Sequence, residues 1–236
     1  MKFRCERDAL VEQLGTASRA VSSRGGALPV LTGIHLKAHK DTLTMTGSDL
    51  EITVRASVAV DVKKSGEAVL PSRIVVDIIR SLDSGAVEVE VSGEEAKISG
   101  GRSQFSVRTL PVDDFPALSD PSGDQVTVAT ADLASGLKQV VRAASGDDAR
   151  PILTGVLMSA EDGGLRLVAT DSYRLAVRDL PEATVLSEGQ KVLVPSRALD
   201  VLSRVLGDSE EVNVRLGERE VSFDVSIEDG AVQVTT

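Results

Sequence analysis

The sequence predicts an α+β protein made of two tandem copies of one domain, each with antiparallel sheets and two helices. Three observations carry that prediction. First, landmarks recur at a nearly constant offset. Leu28-Pro29-Val30-Leu31-Thr32-Gly33-Ile34 is echoed by Arg150-Pro151-Ile152-Leu153-Thr154-Gly155-Val156, and Pro29 and Pro151 are 122 positions apart. Ser48-Asp49 and Thr170-Asp171 keep that offset. Leu70-Pro71-Ser72-Arg73 returns as Val194-Pro195-Ser196-Arg197, and Ser92-Gly93-Glu94 as Leu216-Gly217-Glu218, both 124 apart. Four landmarks in one order mark a duplication. Second, alternating apolar runs outnumber helical stripes and follow one another as meanders, the pattern of antiparallel sheets. Third, 42% of the 236 residues are hydrophobic but only 2% are aromatic. A Val-rich core of this kind suits sheets packed by β-branched side chains.

The elements follow in order. Each copy opens on a short alternating strand, Phe3 and Cys5 in the first and Val126 and Val128 in the second. A helix comes next, with its apolar stripe at Leu10, Leu14, Ala17 and Val21, or at Leu133, Leu137, Val140, Val141 and Ala144. Strands are predicted at 34–38, 43–46 and 52–62, and again at 156–159, 165–170 and 174–180. Pro71 and Pro195 then stop a strand, and Ser72 and Ser196 are placed as N-caps of a second helix. Its stripe is Ile74, Val75, Ile78, Ile79 and Leu82, or Ala198, Leu199, Leu202, Val205 and Leu206. Three strands close each copy, at 87–91, 96–98 and 105–107, and at 212–216, 221–225 and 232–234. Pro111, Pro116, Pro121 and Gly123 make 110–124 a linker, which Phe115 pins to a domain. The domains are placed at 1–118 and 119–236. The second copy stops near the point where the first runs on, so it reads as truncated.

Ala169-Thr170-Asp171-Ser172-Tyr173-Arg174-Leu175-Ala176 concentrates recognition chemistry in a tight corner between two strands, and Tyr173 is the only tyrosine in the chain. An aromatic ring, a guanidinium and two hydroxyls beside apolar positions suit the capture of a peptide.

Charge is unevenly placed. The chain carries a formal −10, which argues against gripping nucleic acid by bulk charge. The helices and their exits, at 8–24, 72–83, 131–150 and 196–206, hold nine basic and eight acidic residues. They therefore net +1, and the rest of the chain nets −11. Arg73 and Arg80 are seven apart on one helix, as are Arg197 and Arg204, and Lys138 and Arg142 are four apart. The duplication sets Arg73 over Arg197 and Arg80 over Arg204. Two readings follow: solvated helix faces balanced by acids, or one mildly basic face for a polyanion.

Several classes are argued against. No nucleotide-binding Gly-x4-Gly-Lys motif, no Gly-x-Ser-x-Gly and no His-Glu-x-x-His occurs. His35 and His39 are the only histidines, and two solvated strand histidines are expected rather than a metal pair. Asp49 and Asp171 sit at equivalent corners, where Asx-type turn bonds are expected rather than a catalytic dyad. No enzyme activity, cofactor or metal is expected. Cys5 is the only cysteine, and with no apolar run near ~18 residues this favours a cytoplasmic protein away from membranes.

These residues resemble the bacterial sliding-clamp family, the DNA polymerase III beta subunit. The matching pieces are Met1-Lys2-Phe3, Pro29 to Ile34, Gly47-Ser48-Asp49-Leu50-Glu51, Leu70 to Arg73, Pro111-Val112-Asp113-Asp114-Phe115-Pro116 and Ala169 to Ala176, in the right order along the whole chain. The resemblance implies the first two of three clamp domains, with sheets outside and two helices per domain on an inner face. In that family two chains close a homodimeric ring around duplex DNA. Such a ring tethers the polymerase III catalytic subunit and takes up the clamp loader and other proteins bearing a clamp-binding motif. A ring retains DNA topologically, so mild, sequence-blind phosphate contacts suffice.

By the resemblance, Arg24, Arg73, Arg150, Pro151 and Ile152 match positions that touch DNA; Pro151 and Ile152 stand where many relatives carry aromatic or polar groups. The helix-face argument adds Arg80, Lys138, Arg142, Arg197 and Arg204. The resemblance also maps one side of a partner-peptide pocket to Leu153, Thr170, Ser172, Tyr173, Arg174 and Leu175. Leu153 and Leu175 would meet an apolar side chain, while Arg174 and the Thr170 hydroxyl would orient the peptide. With a third domain missing, weak peptide affinity is expected. Two rivals stay open: a two-domain clamp closing as a trimer, and a duplicated interaction module with no DNA role.

Overall fold

A computed structural model describes residues 1–236 except 23–27, 119, 123, 162, 184–189, 208, 218–219 and 229; of Asp124 it describes the backbone alone. Arg24 thus lies outside the described residues. The chain packs as two compact units, Met1–Ser119 with Glu228–Gln233, and Asp120–Ile227 with Val234–Thr236.

Unit 1 contains β1 (Lys2–Glu6), α1 (Arg7–Ala17), β2 (Gly33–His39), β3 (Thr42–Ser48), β4 (Thr53–Ala59), β5 (Asp61–Lys64), β6 (Gly66–Pro71), α2 (Ser72–Ser81), β7 (Ala86–Ser92), β8 (Glu95–Gly100) and β9 (Ser103–Arg108). One sheet runs β5-β1-β7-β8-β9, and a second set runs β4-β3-β2-β6. Every pairing is antiparallel. The run expected as one strand over 52–62 is two. Val60 is the break: its amide donates to the Asp41 carbonyl at 2.9 Å, so β4 ends and β5 crosses to the other sheet.

The main core draws Phe3, Leu10, Leu14, Ile34, Leu43, Met45, Leu70, Val75, Ile79 and Ile98 into one cluster from both sheets and both helices. The stripe predicted for α2 is rotated at one position. Ile74 is 52% exposed, whereas Val76 is buried. A smaller cluster sits on the other face of β6. There Val30, Leu31 and Val69 meet Leu110, Val112 and Phe115 of the segment after β9. The Phe115 ring stacks on His35, centroids 5.1 Å apart and 21° from parallel. His35 is therefore no solvated strand histidine. Its Nε2 lies 3.1 Å from Glu67, and burial pushes its pKa down against the upward pull of that carboxylate.

Unit 2 repeats the order with β10 (Asp124–Ala129), α3 (Thr130–Val140), β11 (Gly155–Glu161), β12 (Gly164–Thr170), β13 (Leu175–Leu180), β14 (Lys191–Pro195), α4 (Ser196–Val205), β15 (Glu211–Leu216) and β16 (Val221–Ile227), and the last strand, β17 (Gly230–Thr235), is divided between the units after Gln233. One sheet runs β13-β12-β11-β14, and β10-β15-β16 form another antiparallel set. α4 buries its whole predicted stripe, Ala198, Leu199, Leu202, Val205 and Leu206. α3 is shorter than the span read from sequence. It ends at Val140, and a 3₁₀ turn, Val141–Ala143, follows.

The serines are not the caps. Pro71 and Pro195 hold the N-cap positions at φ −54° and −52°, with no side-chain cap bond. Each proline is still the last register partner of its strand, opposite Gly33 or Gly155. Strand therefore runs straight into helix, and Ser72 and Ser196 are already helical. The Ser196 amide instead donates to the Thr154 carbonyl at 3.0 Å.

Candidate functional site

The corner between β12 and β13 is built almost wholly from its own polar groups. Asp171 Oδ1 accepts from the amides of Tyr173 and Arg174, both at 3.0 Å. Those two N–H groups, ahead of the Arg174 guanidinium, hold its carboxyl below the ordinary aspartate value. The Thr170 hydroxyl donates to the Arg174 carbonyl at 2.7 Å and accepts from the Ser172 amide at 3.1 Å. Ser172 takes φ +78° to make the turn. Unit 1 repeats the device: Asp49 Oδ1 accepts from Glu51 and Ile52, Ser48 Oγ from Leu50, and Leu50 has φ +75°. Both aspartates thus make the expected turn bonds.

This wiring decides what the corner presents. The Thr170 proton is committed inside the turn, so this hydroxyl could meet a peptide only as an acceptor, through its second lone pair. Tyr173 is 94% exposed and Leu175 66% exposed. Leu153 is half-buried in the 3₁₀ turn Pro151–Leu153, where its carbonyl accepts from the Ser145 amide at 2.8 Å. Neither leucine is core.

Arg150 joins the two groups of residues read from sequence. Its Nε lies 3.0 Å from Asp147 Oδ2, and its Nη1 donates to Ser172 Oγ at 3.3 Å. Asp147 is itself held ionised by the Ala149 amide and then by Arg150. Arg150, Asp147, Asp171, Tyr173 and Arg174 line a cleft of about 350 Å³ with Ala144, Ser145 and Gly146. Pro151 and Ile152 stand exposed beside it. The structure therefore ties Arg150 to the peptide corner as closely as to the polyanion group.

The helix cations are all exposed. Arg73 is the second residue of α2 and Arg197 the second of α4. Arg73, Lys138 and Arg142 make no ion pair among the described residues, whereas Arg204 is paired with Asp200 at 3.1 Å. Arg80 reaches back over Gly15 of α1. Arg142 lies in the 3₁₀ turn beyond α3, so helical spacing from Lys138 does not hold there.

Sequence reading passed over Val177 and Leu193, which are 50% and 41% exposed. The alternation of β13 could have found the first, since Leu175 and Val177 share one face. It also passed over Phe105, 37% exposed on β9, which is the last strand of its sheet.

Residues 1–119 match the model of the DNA polymerase III beta subunit, N-terminal domain, and residues 127–234 match that of its central domain. The chain belongs to this family. It is 36% identical over 219 residues to the beta sliding clamp of Streptomyces coelicolor, covering 92% of this chain and 57% of that protein. It is 34% identical to the beta sliding clamp of Micrococcus luteus over 92% of this chain and 70% of the relative. Among solved structures, the DNA polymerase sliding clamp from Bacillus subtilis superposes with a TM-score of 0.89 at 31% identity, over all of this chain and 64% of that one. The DNA polymerase III subunit beta from Pseudomonas aeruginosa gives 0.88 at 30% identity, again over 64% of its length. The chain therefore spans roughly six tenths of the length of most such family members. No described helix is long and apolar enough to cross a membrane.

Proposed function

We propose that the chain serves as the first two domains, 1–118 and 119–236, of a sliding clamp. In this reading it is a non-catalytic, cytoplasmic subunit that encircles duplex DNA and tethers the polymerase III catalytic subunit. The observation that carries it is the repeated cation: Arg73 and Arg197 stand exposed at the same second position of equivalent helices. Arg24, Arg80, Lys138, Arg142 and Arg204 join them as sequence-blind phosphate contacts on a helix-lined face. Leu153, Leu175, Tyr173 and Arg174 form this chain's side of the site for the clamp loader and other motif-bearing partners. Arg150 serves that site through Ser172. Ring closure needs a second copy. β9 suits it, as an edge strand has backbone groups open for pairing and Phe105 is exposed there.

The test is retention on DNA. The chain, joined to the third domain of a relative, is incubated with clamp loader, ATP and a nicked circular plasmid and passed through gel filtration. The expected outcome is co-elution with the circle and release after linearisation. Equal elution with circular and linear DNA overturns the topological reading. No elution with either overturns the DNA role and leaves the interaction-module rival.

A further inference from the structure

The two copies build the same corner and hang different groups on it. In unit 1 the backbone passes through the turn with Leu50 at φ +75°, and in unit 2 with Ser172 at φ +78°. The 3₁₀ turns Pro29–Thr32 and Pro151–Leu153 are also bonded alike. The Leu31 amide donates to the Leu28 carbonyl at 3.1 Å, and the Leu153 amide to the Arg150 carbonyl at 2.9 Å. Leu28 and Leu50 stand 122 residues before Arg150 and Ser172. Two leucines in one copy are a guanidinium and a hydroxyl in the other.

That comparison separates what the turn needs from what it carries. A left-handed φ is costly for a residue with a Cβ and free for glycine. The turn itself asks for no hydroxyl at this place, since Leu50 closes it in unit 1. The Leu50 amide is taken by Ser48 Oγ and the Ser172 amide by the Thr170 hydroxyl, both at 3.1 Å. The one hydrogen bond of Ser172 Oγ among the described residues is the one it accepts from Arg150 Nη1 at 3.3 Å. Asp147 and Asp171 each wire their own segment, with Arg150 Nε on Asp147 Oδ2 at 3.0 Å and Arg174 Nε on Asp171 Oδ2 at 2.9 Å. The Ser172 bond crosses between those segments. A planar guanidinium held at both Nε and Nη1 has its orientation set, and Arg150 is held so where it lines the cleft.

We propose that Ser172 is a positioning residue of the peptide site: it keeps a strained backbone and presents the oxygen that aims Arg150. This rests on the reading of the corner as a peptide site and adds how that site is tuned. Stability and affinity then answer to different atoms of one side chain. Ser172→Gly relieves the backbone and loses the aim. Ser172→Ala loses the aim and relieves nothing. Ser172→Asn supplies an acceptor oxygen on a residue that enters the left-handed region readily.

The probe is a synthetic peptide carrying the clamp-binding motif of the polymerase III catalytic subunit. Its titration is followed in the backbone NMR signals of the intact, isotope-labelled chain, which register weak affinity, and melting is followed by circular dichroism. We expect affinity to fall severalfold in Ser172→Gly and Ser172→Ala alike and to recover in Ser172→Asn. Ser172→Gly should melt no lower than the native chain, and Ser172→Ala should melt below Ser172→Gly. In an Arg150→Gln background, Ser172→Gly should change affinity no further. Native affinity in Ser172→Gly, or the same loss with and without the Arg150 side chain, overturns the positioning role and leaves the peptide site standing. So does a fall of affinity and melting temperature together in Ser172→Gly, the mark of a merely structural serine. A native chain that does not bind the peptide overturns the site, and the proposal with it.

Discussion

Asp171 holds Arg174 three times over. One carboxylate oxygen accepts the Arg174 amide at 3.0 Å, the other accepts Nε at 2.9 Å, and the Asp171 amide donates to the Arg174 carbonyl at 3.4 Å. The guanidinium is therefore aimed by the backbone turn that carries it. Arg174 lines the cleft beside Asp171 and Tyr173.

Asp171→Ala should release both the turn and the guanidinium. The carboxylate is half-buried in a surface corner and bonds only its own turn, so little global stability should be lost, while affinity for a clamp-binding peptide should fall severalfold. Asn should rescue much of it, because its side-chain oxygen still accepts the two amides. The pH dependence has a definite sign. The folded pKa lies below the unfolded one, so the turn is intact above the ordinary aspartate value and loosens as pH falls through the lowered one. Backbone NMR shifts of Tyr173 and Arg174 through that titration are the check.

His35 reports the strap formed by Leu110 to Phe115. Burial depresses its pKa, so the unfolded chain takes up a proton before the folded one does. Its contribution is complete above the unfolded value, about 6.5, and declines as pH falls from there to the lowered folded value. Urea midpoints at pH 7.5 and 5.5 should differ more for the native chain than for His35→Gln. Equal differences in the two would remove His35 as the cause.

The rotated stripe of α2 gives a paired test. Ile79→Ala removes a side chain that is 1% exposed and should cost about 2–5 kcal/mol. Ile74→Ala removes one that is 52% exposed and should stay within about 0.5 kcal/mol. Denaturant unfolding would refute the assigned face if the order reversed.

Gly47 of the Gly47-Ser48-Asp49 motif is explained by packing. A Cβ there would lie 2.1 Å from the Ala17 carbonyl oxygen, where α1 ends against β3. That oxygen belongs to the backbone and cannot swing aside. Gly47→Ala should destabilise unit 1 by about 1–3 kcal/mol or more, read as a lower melting temperature without loss of secondary structure.

For duplex DNA, Arg73→Glu with Arg197→Glu should weaken binding alike across sequences. It should lower the slope of log affinity against log salt by roughly 2, one unit for each phosphate contact. A slope that does not move would take both arginines off the DNA.

The duplication, the α+β class and the order of elements were legible because they rest on local patterns: period-2 and period-3.6 runs, proline stops and repeated motifs. The Asx corners were legible for the same reason, since Asp49 and Asp171 bond amides only two and three residues on. Other features hung on partners far along the chain. Periodicity did not separate β4 from β5, because the break at Val60 depends on a bond to Asp41. His35 was read as solvated because Phe115, 80 residues later, is what covers it. The apolar row in unit 2 was invisible for a kindred reason: Leu193, Leu157, Val168 and Val177 adjoin only once four strands are in register. A residue's own neighbours decide its backbone, but what lies over its side chain is decided by whichever distant segment gains most by burying it.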